Sequence, residues 1–343
     1  MRFSRRTLVT ASTILVGASA KRPTATAAFV KHFGTTTQRN NNSAGMATST
    51  LKARVGLLQF PVSEDKTANH DMASKYLARA SDQHVQLAVL PEIWNSPYAT
   101  AAFRAYAEVL PEIGATDVGA SPSATLLQQH AMASKMWIVG GSIPEIDGDD
   151  IYNTCLVFDP DGMVVAKHRK MHLFDVDVPG GIRFKESDTL SPGNAVSAFR
   201  CGDFGMVGVG ICYDIRFPEY ALLLNQQHQC NMLIYPGAFN LTTGPAHWEL
   251  LQRGRAVDNQ CYVLTASPAR VAAPETPGAY PHYTAWGHST VVSPWGEVVA
   301  TCDEHEALVV ADLDMSKVAT MRQSIPVLQQ KRLDVYKLEK STQ

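Results

Sequence analysis

Ten short apolar runs of strand length succeed one another between residues 53 and 313, with stretches of helical period set among them and no low-complexity linker. The strand-like runs are 53–61, 86–90, 136–143, 153–158, 204–212, 231–235, 262–266, 289–292, 297–301 and 307–313. The helical stretches are 65–81, 122–134, 218–227, 246–259 and 315–339. Strands covered on both faces lose their polar alternation and read as continuous apolar runs. Strands of that kind, joined by both hairpins and helical crossovers, predict a layered α/β sandwich. The 343 residues, 45% hydrophobic, suffice for one large core or two small ones. With no internal repeat and no linker, a single domain over 47–343, ending in a C-terminal extension, is expected.

Residues 1–46 differ in kind from the rest. They carry seven basic side chains (Arg2, Arg5, Arg6, Lys21, Arg22, Lys31, Arg39) and no acidic one, among many Ser, Thr and Ala. Such composition predicts a targeting presequence for a mitochondrion or plastid. Residues 7–20 also look like a short secretory core, and Met46 offers a second start for a cytoplasmic form. The remainder has 23 basic against 32 acidic residues, which leaves no basic stripe for nucleic acid. No later run reaches the roughly 18 apolar residues that span a bilayer, so no membrane partner is expected. The six cysteines show no C-x-x-C and no paired spacing, which fits a reducing compartment.

Three strand ends carry reactive side chains. The run 204–212 stops on Cys212 and breaks into Tyr213-Asp214. A thiol at a sheet rim is rigidly held and can face a cleft, which suits a nucleophile. Free cysteines are also among the most buried residues, so the same placement serves packing. The run 85–90 ends in Pro91-Glu92 and then Ile93-Trp94. A carboxyl in apolar company has raised proton affinity and suits a general base, although most glutamates are solvated. In 163–180, alternation puts His168, Lys170 and His172 on one face and Lys167, Arg169 and Met171 on the other. Basic runs are usually surface, but Leu173-Phe174 and Pro179-Gly180 follow at once, and a lysine there can point into a pocket. Together these residues make an acyl-transfer set without metal: Glu92 to take the thiol proton, Cys212 to attack, Lys170 to stabilise the oxyanion.

On those residues the chain resembles the nitrilase, or carbon–nitrogen hydrolase, superfamily. The likeness runs from 53 to 336. Its strings are WNSPY (94–98), GGSIPE (140–145), YNTC (152–155), HLFDVDVPG (172–180), FKESDTLSPG (184–193), GICYDIRFPE (210–219), 235–260, SPAR (267–270) and WGHSTVVSPWGEV (286–298). Within the superfamily these strings are most similar to those of omega-amidases. The resemblance implies an α-β-β-α sandwich, a Glu92–Lys170–Cys212 triad, and a second glutamate, Glu186, holding Lys170. It also implies no cofactor, and a homodimer paired through helical faces. Two departures stand out: Ile93-Trp94 follows the glutamate, and a proline-rich stretch at 271–283 is longer than usual and bears on the pocket rim. His282 and His288 lack the spacing of zinc ligands, so no metal site is expected.

The omega-amidase likeness implies a small-molecule amide partner, 2-oxoglutaramate or 2-oxosuccinamate, cleaved to the 2-oxo dicarboxylate and ammonia. The distal carboxylate of such a substrate asks for a cation, best an arginine. Arg216, four residues past Cys212, is the candidate, unless it pairs with Asp214 or Glu219. Thr242 would add a hydroxyl donor, Tyr98 and Phe239 would wall the pocket, and His172 would touch substrate or simply pack. Two alternatives stay open. One is a sister hydrolase: a deaminated glutathione amidase, an N-carbamoyl amidohydrolase or a nitrilase. The other is a non-catalytic scaffold on the same fold.

Overall fold

The structure is a computed structural model, and it describes residues 51–177 and 183–341. The presequence expected at 1–46 lies outside the described residues. In chain order the elements are β1 (Lys52–Gln59), α1 (Lys66–Asp82), β2 (Leu87–Val89), α2 (Thr100–Tyr106), α3 (Pro122–Ser134), β3 (Trp137–Val139), β4 (Ile143–Asp147), β5 (Asp150–Phe158) and β6 (Val164–Arg169). They continue with β7 (Asp175–Asp177), β8 (Arg183–Lys185), β9 (Ser197–Arg200), β10 (Met206–Val209), α4 (Pro218–His228), β11 (Met232–Pro236) and α5 (Gly244–Asn259). The last are β12 (Tyr262–Ala266), β13 (Thr290–Val292), β14 (Val298–Thr301), β15 (Ala307–Asp314) and α6 (Ser316–Ser324).

Two sheets carry the fold. One runs β15-β1-β2-β3-β5-β4, with β6 also paired to β5; the other runs β14-β13-β12-β11-β10-β9. Alternation along each strand explains the layering. Val55, Leu57, Leu87, Val89, Val139, Cys155 and Val157 point from the first sheet into a core shared with Val207, Val209, Ile234, Val263 and Val291 of the second. Their neighbours Leu58, Ala88, Leu90, Ile138, Leu156 and Phe158 point the other way, onto Ala73, Leu77, Leu127 and Ala131 of α1 and α3. Both faces of the first sheet are therefore buried, which is why its strands read as unbroken apolar runs. Tyr220, Leu224, Trp248 and Ala256 of α4 and α5 join the shared core from the second sheet's side. The expected α-β-β-α sandwich results.

Local chemistry sets the helix ends. Asp65 caps α1 by accepting from the N–H groups of Thr67 and Ala68 at 2.9 and 3.1 Å, an arrangement worth about 1 kcal/mol. Ser121 caps α3, with Pro122 in its first turn, and the helix spans the expected 122–134. The helix expected over 315–339 stops at Ser324. Ile325 precedes a proline and is extended, at φ −134° and ψ 82°, because the proline ring disfavours the helical region before it. The run 136–143 is two strands rather than one. Gly140-Gly141 separates them, and Gly141 holds a φ of +64°. A Cβ at Gly141 would lie 2.1 Å from the Pro91 carbonyl oxygen, so only glycine lets this turn press against the residue before Glu92. The run 204–212 also shortens: β10 ends at Val209, and residues 212–216 form a 3-10 turn.

Candidate active site

The ends of β2, β6 and β10 bring Glu92, Lys170 and Cys212 together. Glu92 lies three residues past β2, and its turn is fastened by Ile93 N–H on Ser142 Oγ at 3.1 Å and Trp94 Nε1 on the Gly140 carbonyl at 2.7 Å. Lys170 follows β6 directly, its N–H on the Asn153 carbonyl at 2.8 Å. Cys212 opens the 3-10 turn with a φ of +44°, a left-handed conformation that costs a non-glycine residue on the order of 1 kcal/mol. Held there, the thiol meets the Glu92 carboxyl and the Ala238 N–H.

A closed hydrogen-bond network surrounds these groups. Lys170 Nζ donates to Glu92 Oε1 and Glu186 Oε1, both at 2.9 Å. Glu92 also accepts from Asn153 Nδ2 and the Ala238 N–H, both at 2.9 Å. Glu186 accepts from the Tyr98 hydroxyl and the Phe174 N–H, both at 2.7 Å. Glu92, Lys170 and Glu186 are all 0% exposed. Burial raises the Glu92 pKa above 4.5, and the Glu186 charge adds to that, although Lys170 opposes it. Burial works against the Lys170 ammonium, but Glu186 and Glu92 outweigh it and hold its pKa well above 10.5. Burial and the Glu92 charge raise the Cys212 thiol well above 9.0. The resting pair is thus a protonated thiol beside a carboxylate of raised basicity, able to pass the proton as attack begins.

A second buried carboxylate ties the nucleophile's turn to the lysine strand. Asp214 is 0% exposed and meets four N–H positions: Ile211 N at 2.9 Å, His172 N at 3.0 Å, His172 Nδ1 at 2.7 Å and His168 Nε2 at 3.1 Å. Burial opposes its ionisation, but these bonds hold its pKa well below the usual carboxylate range. Cys212 opens into a small recess lined by Tyr98, Phe174, Tyr213, Arg216, Ala238 and Tyr283. Beyond it lies a wider cleft of ≈ 700 Å³ bordered by Arg216, Asn240, Thr243 and Tyr283. Arg216 stacks its guanidinium 4.6 Å from the Phe239 ring centroid, contacts His247 at 3.2 Å, and keeps its buried Nε without a partner.

The sequence profile of the carbon–nitrogen hydrolase family matches residues 54–323. The chain belongs to this family. Among its relatives, "Omega-amidase NIT2" of Bos taurus is 52% identical over 286 residues, covering 83% of this chain and 97% of that protein. "Omega-amidase NIT2" of Homo sapiens is 50% identical with the same coverage. Among solved structures, Saccharomyces cerevisiae Nit3, described as a member of branch 10 of the nitrilase superfamily, superposes with a TM-score of 0.72. It is 43% identical and covers 82% of this chain and 97% of that one.

Not every residue expected to touch substrate in this hydrolase borders the recess. Tyr98, Phe239 and Arg216 do, and Tyr98 also commits its hydroxyl to Glu186. Thr242 is exposed and borders only the outer cleft; its neighbour Thr243 reaches both. His172 does not line the recess or the cleft; its ring stacks on Phe217 at 3.7 Å and meets Asp214, the packing role of the two expected for it. Arg216 pairs with neither Asp214 nor Glu219. Sequence reasoning missed Asn153, Ala238, Asp214 and Tyr283. Asn153 lies inside the YNTC string, and Asp214 follows Cys212 by two residues. Ala238 acts through its backbone, which leaves no trace in a side-chain pattern.

Among the described residues, no group of three or more His, Cys, Asp or Glu could hold a metal ion. No described helix is long and apolar enough to cross a membrane. All six cysteines are free thiols.

Proposed function

We propose that this carbon–nitrogen hydrolase is an omega-amidase, cleaving the terminal amide of 2-oxoglutaramate or 2-oxosuccinamate through a thioester on Cys212. One observation carries the reading: a buried thiol set against a buried carboxyl that shares a buried lysine, opening toward an arginine with a free Nε. In the first half-reaction Cys212 Sγ attacks the amide carbon and its proton passes to Glu92. Lys170 stabilises the oxyanion, and Glu92 returns the proton to the nitrogen as the C–N bond breaks and ammonia leaves. Water then attacks the thioester and gives a proton to Glu92; as the C–S bond breaks Glu92 returns that proton to Cys212 Sγ, and the new acid leaves as its carboxylate, its own proton going to solvent. Preorganised donors act best in a dry site, where no reorganisation is needed. Glu186 holds Lys170 between two carboxylates, and Arg216 takes the distal carboxylate.

The test is ammonia release from 2-oxoglutaramate, with glutamine, a nitrile and an N-carbamoyl amino acid run in parallel. Preference for the nitrile or the carbamoyl compound would move the protein to a sister activity. Intact-mass trapping of an acyl group on Cys212 separates any of these from a scaffold. We also propose a homodimer. Support comes from the resemblance and from apolar side chains left exposed, Leu250 and Val257 on α5 and Trp295, Val298 and Val299 after β13; a monomer in sedimentation would end this proposal. The presequence at 1–46 we assign to a mitochondrion or plastid from its composition, to be tested by locating a tagged full-length chain.

A further inference from the structure

Beside the recess, sharing its Tyr98, Ala238 and Tyr283, lies a second cavity of ≈ 330 Å³ roofed by the proline-rich stretch 271–283. Its walls include Glu92, Pro268, Val271, Ala272, Pro281 and Tyr283. The roof is built rather than draped. The Glu64 carboxylate accepts from the N–H groups of Ala279 and Tyr280, both at 3.0 Å, and His282 Nε2 meets the Val271 carbonyl at 3.0 Å. Cys212 and Arg216 do not border this cavity, and Glu92 does not border the recess or the cleft. Tyr283 borders all three spaces. Its hydroxyl donates to the Ala238 carbonyl, and its ring lies 4.6 Å from that of Tyr98.

This division follows the two halves of an amide. With the acyl chain extending toward Arg216, the leaving nitrogen faces the proton donor, Glu92. Any substituent on that nitrogen must continue past Tyr283 into the second cavity. We propose that Tyr283 is the specificity-determining residue that confines the enzyme to primary amides, and that the chamber behind it would otherwise take an N-alkyl group. The inference rests on the omega-amidase reading and extends it to the leaving group. For such a substrate the C–S bond forms, the C–N bond breaks, and the nitrogen departs as an alkylamine carrying the thiol's proton by way of Glu92. No further reactant is needed.

The experiment compares kcat/KM for 2-oxoglutaramate and its N-propyl amide in wild type, Tyr283→Ala and Tyr283→Phe. Removing the ring should raise the N-propyl to primary ratio by at least about 10-fold, the scale on which a pocket discriminates by one or two methylenes. Tyr283→Phe keeps the ring and should keep the wild-type ratio. Adding Ala272→Trp, at an exposed roof position, to Tyr283→Ala should cancel the gain. Tyr283→Leu provides the same comparison if the alanine variant fails to fold. An unchanged ratio in a folded, ring-deleted protein overturns the inference, as does an equal rise in Tyr283→Phe. Wild type that fails on the primary amide refutes the underlying reading instead, so the two failures are distinct.

Discussion

Two buried ionic clusters meet at the end of β6, and they are composed in opposite ways. On one face Lys167 and Arg169 converge on a single buried carboxylate, Glu145, which also accepts from Thr154 at 2.6 Å. On the other, one ammonium, Lys170, serves two carboxylates, Glu92 and Glu186. Burial pushes both Glu145 and Glu92 toward protonation. Around Glu145 the bonds from Arg169, Lys167 and Thr154 outweigh it, and the pKa falls below 4.5. Around Glu92 the single shared lysine does not, and the pKa rises. A carboxylate with cations to spare is pinned in one state and holds structure. One that is short of positive charge can exchange a proton, which is the property a general base needs.

The comparison breaks first at the thiol. Cys212→Ala should abolish turnover while leaving both clusters and the unfolding transition intact; measurable steady-state ammonia release from the purified variant would remove the mechanism. Next, Lys170→Ala should cost on the order of 1000-fold in kcat, as loss of an oxyanion donor does elsewhere, and Glu92→Gln at least as much. The acid limb of kcat/KM should report Glu92. Since only its ionised form accepts the thiol proton and its pKa is raised, activity should appear above pH 4.5 and move to lower pH in no variant that keeps the cluster. Arg216→Ala should raise KM for the anionic substrate about 10- to 100-fold, the scale of a charged hydrogen bond, and change a neutral amide far less. Equal effects on both would sever Arg216 from the carboxylate.

The smallest catalytic effect is expected across the strand. Glu145→Ala leaves two cations around an empty place and should cost about 3 kcal/mol of stability, with kcat within a few-fold of wild type; denaturant unfolding and initial rates check both. The sign with pH follows from the depressed pKa. Glu145 stabilises the fold above pH 4.5, and that contribution disappears as pH falls through its lower folded value. Glu92 runs the other way, since its folded form favours the proton and its contribution weakens as pH rises past 4.5.

Strand ends were the most legible feature of the sequence. Apolar runs that stop on Glu92 and Cys212 do so because the chain leaves a two-sided core there, and the period of two in β6 separates Lys170 from Lys167 and Arg169. The α3 start was readable because Ser121 and Pro122 are local signals, whereas the left-handed Lys135 that ends the helix shows only in the structure. The short α2 and the β7-β8 pair carry no period long enough to detect. The helix expected to reach residue 339 stops early because Pro326 bars the helical region to Ile325. Site residues that act at a distance were beyond reach: Asp214 meets His168 and His172 only because the two sheets stack, and Tyr283 matters through the space it divides.

Consider last the contact between Gly141 and the Pro91 carbonyl. A single methyl group there has no room, and relief can come only by displacing the backbone that precedes Glu92. Gly141→Ala is therefore a lesion of reactivity disguised as a conservative change, far from the thiol in sequence. A scan of variants ranked by charge or polarity would pass over it, whereas one ranked by clearance would place it beside the nucleophile.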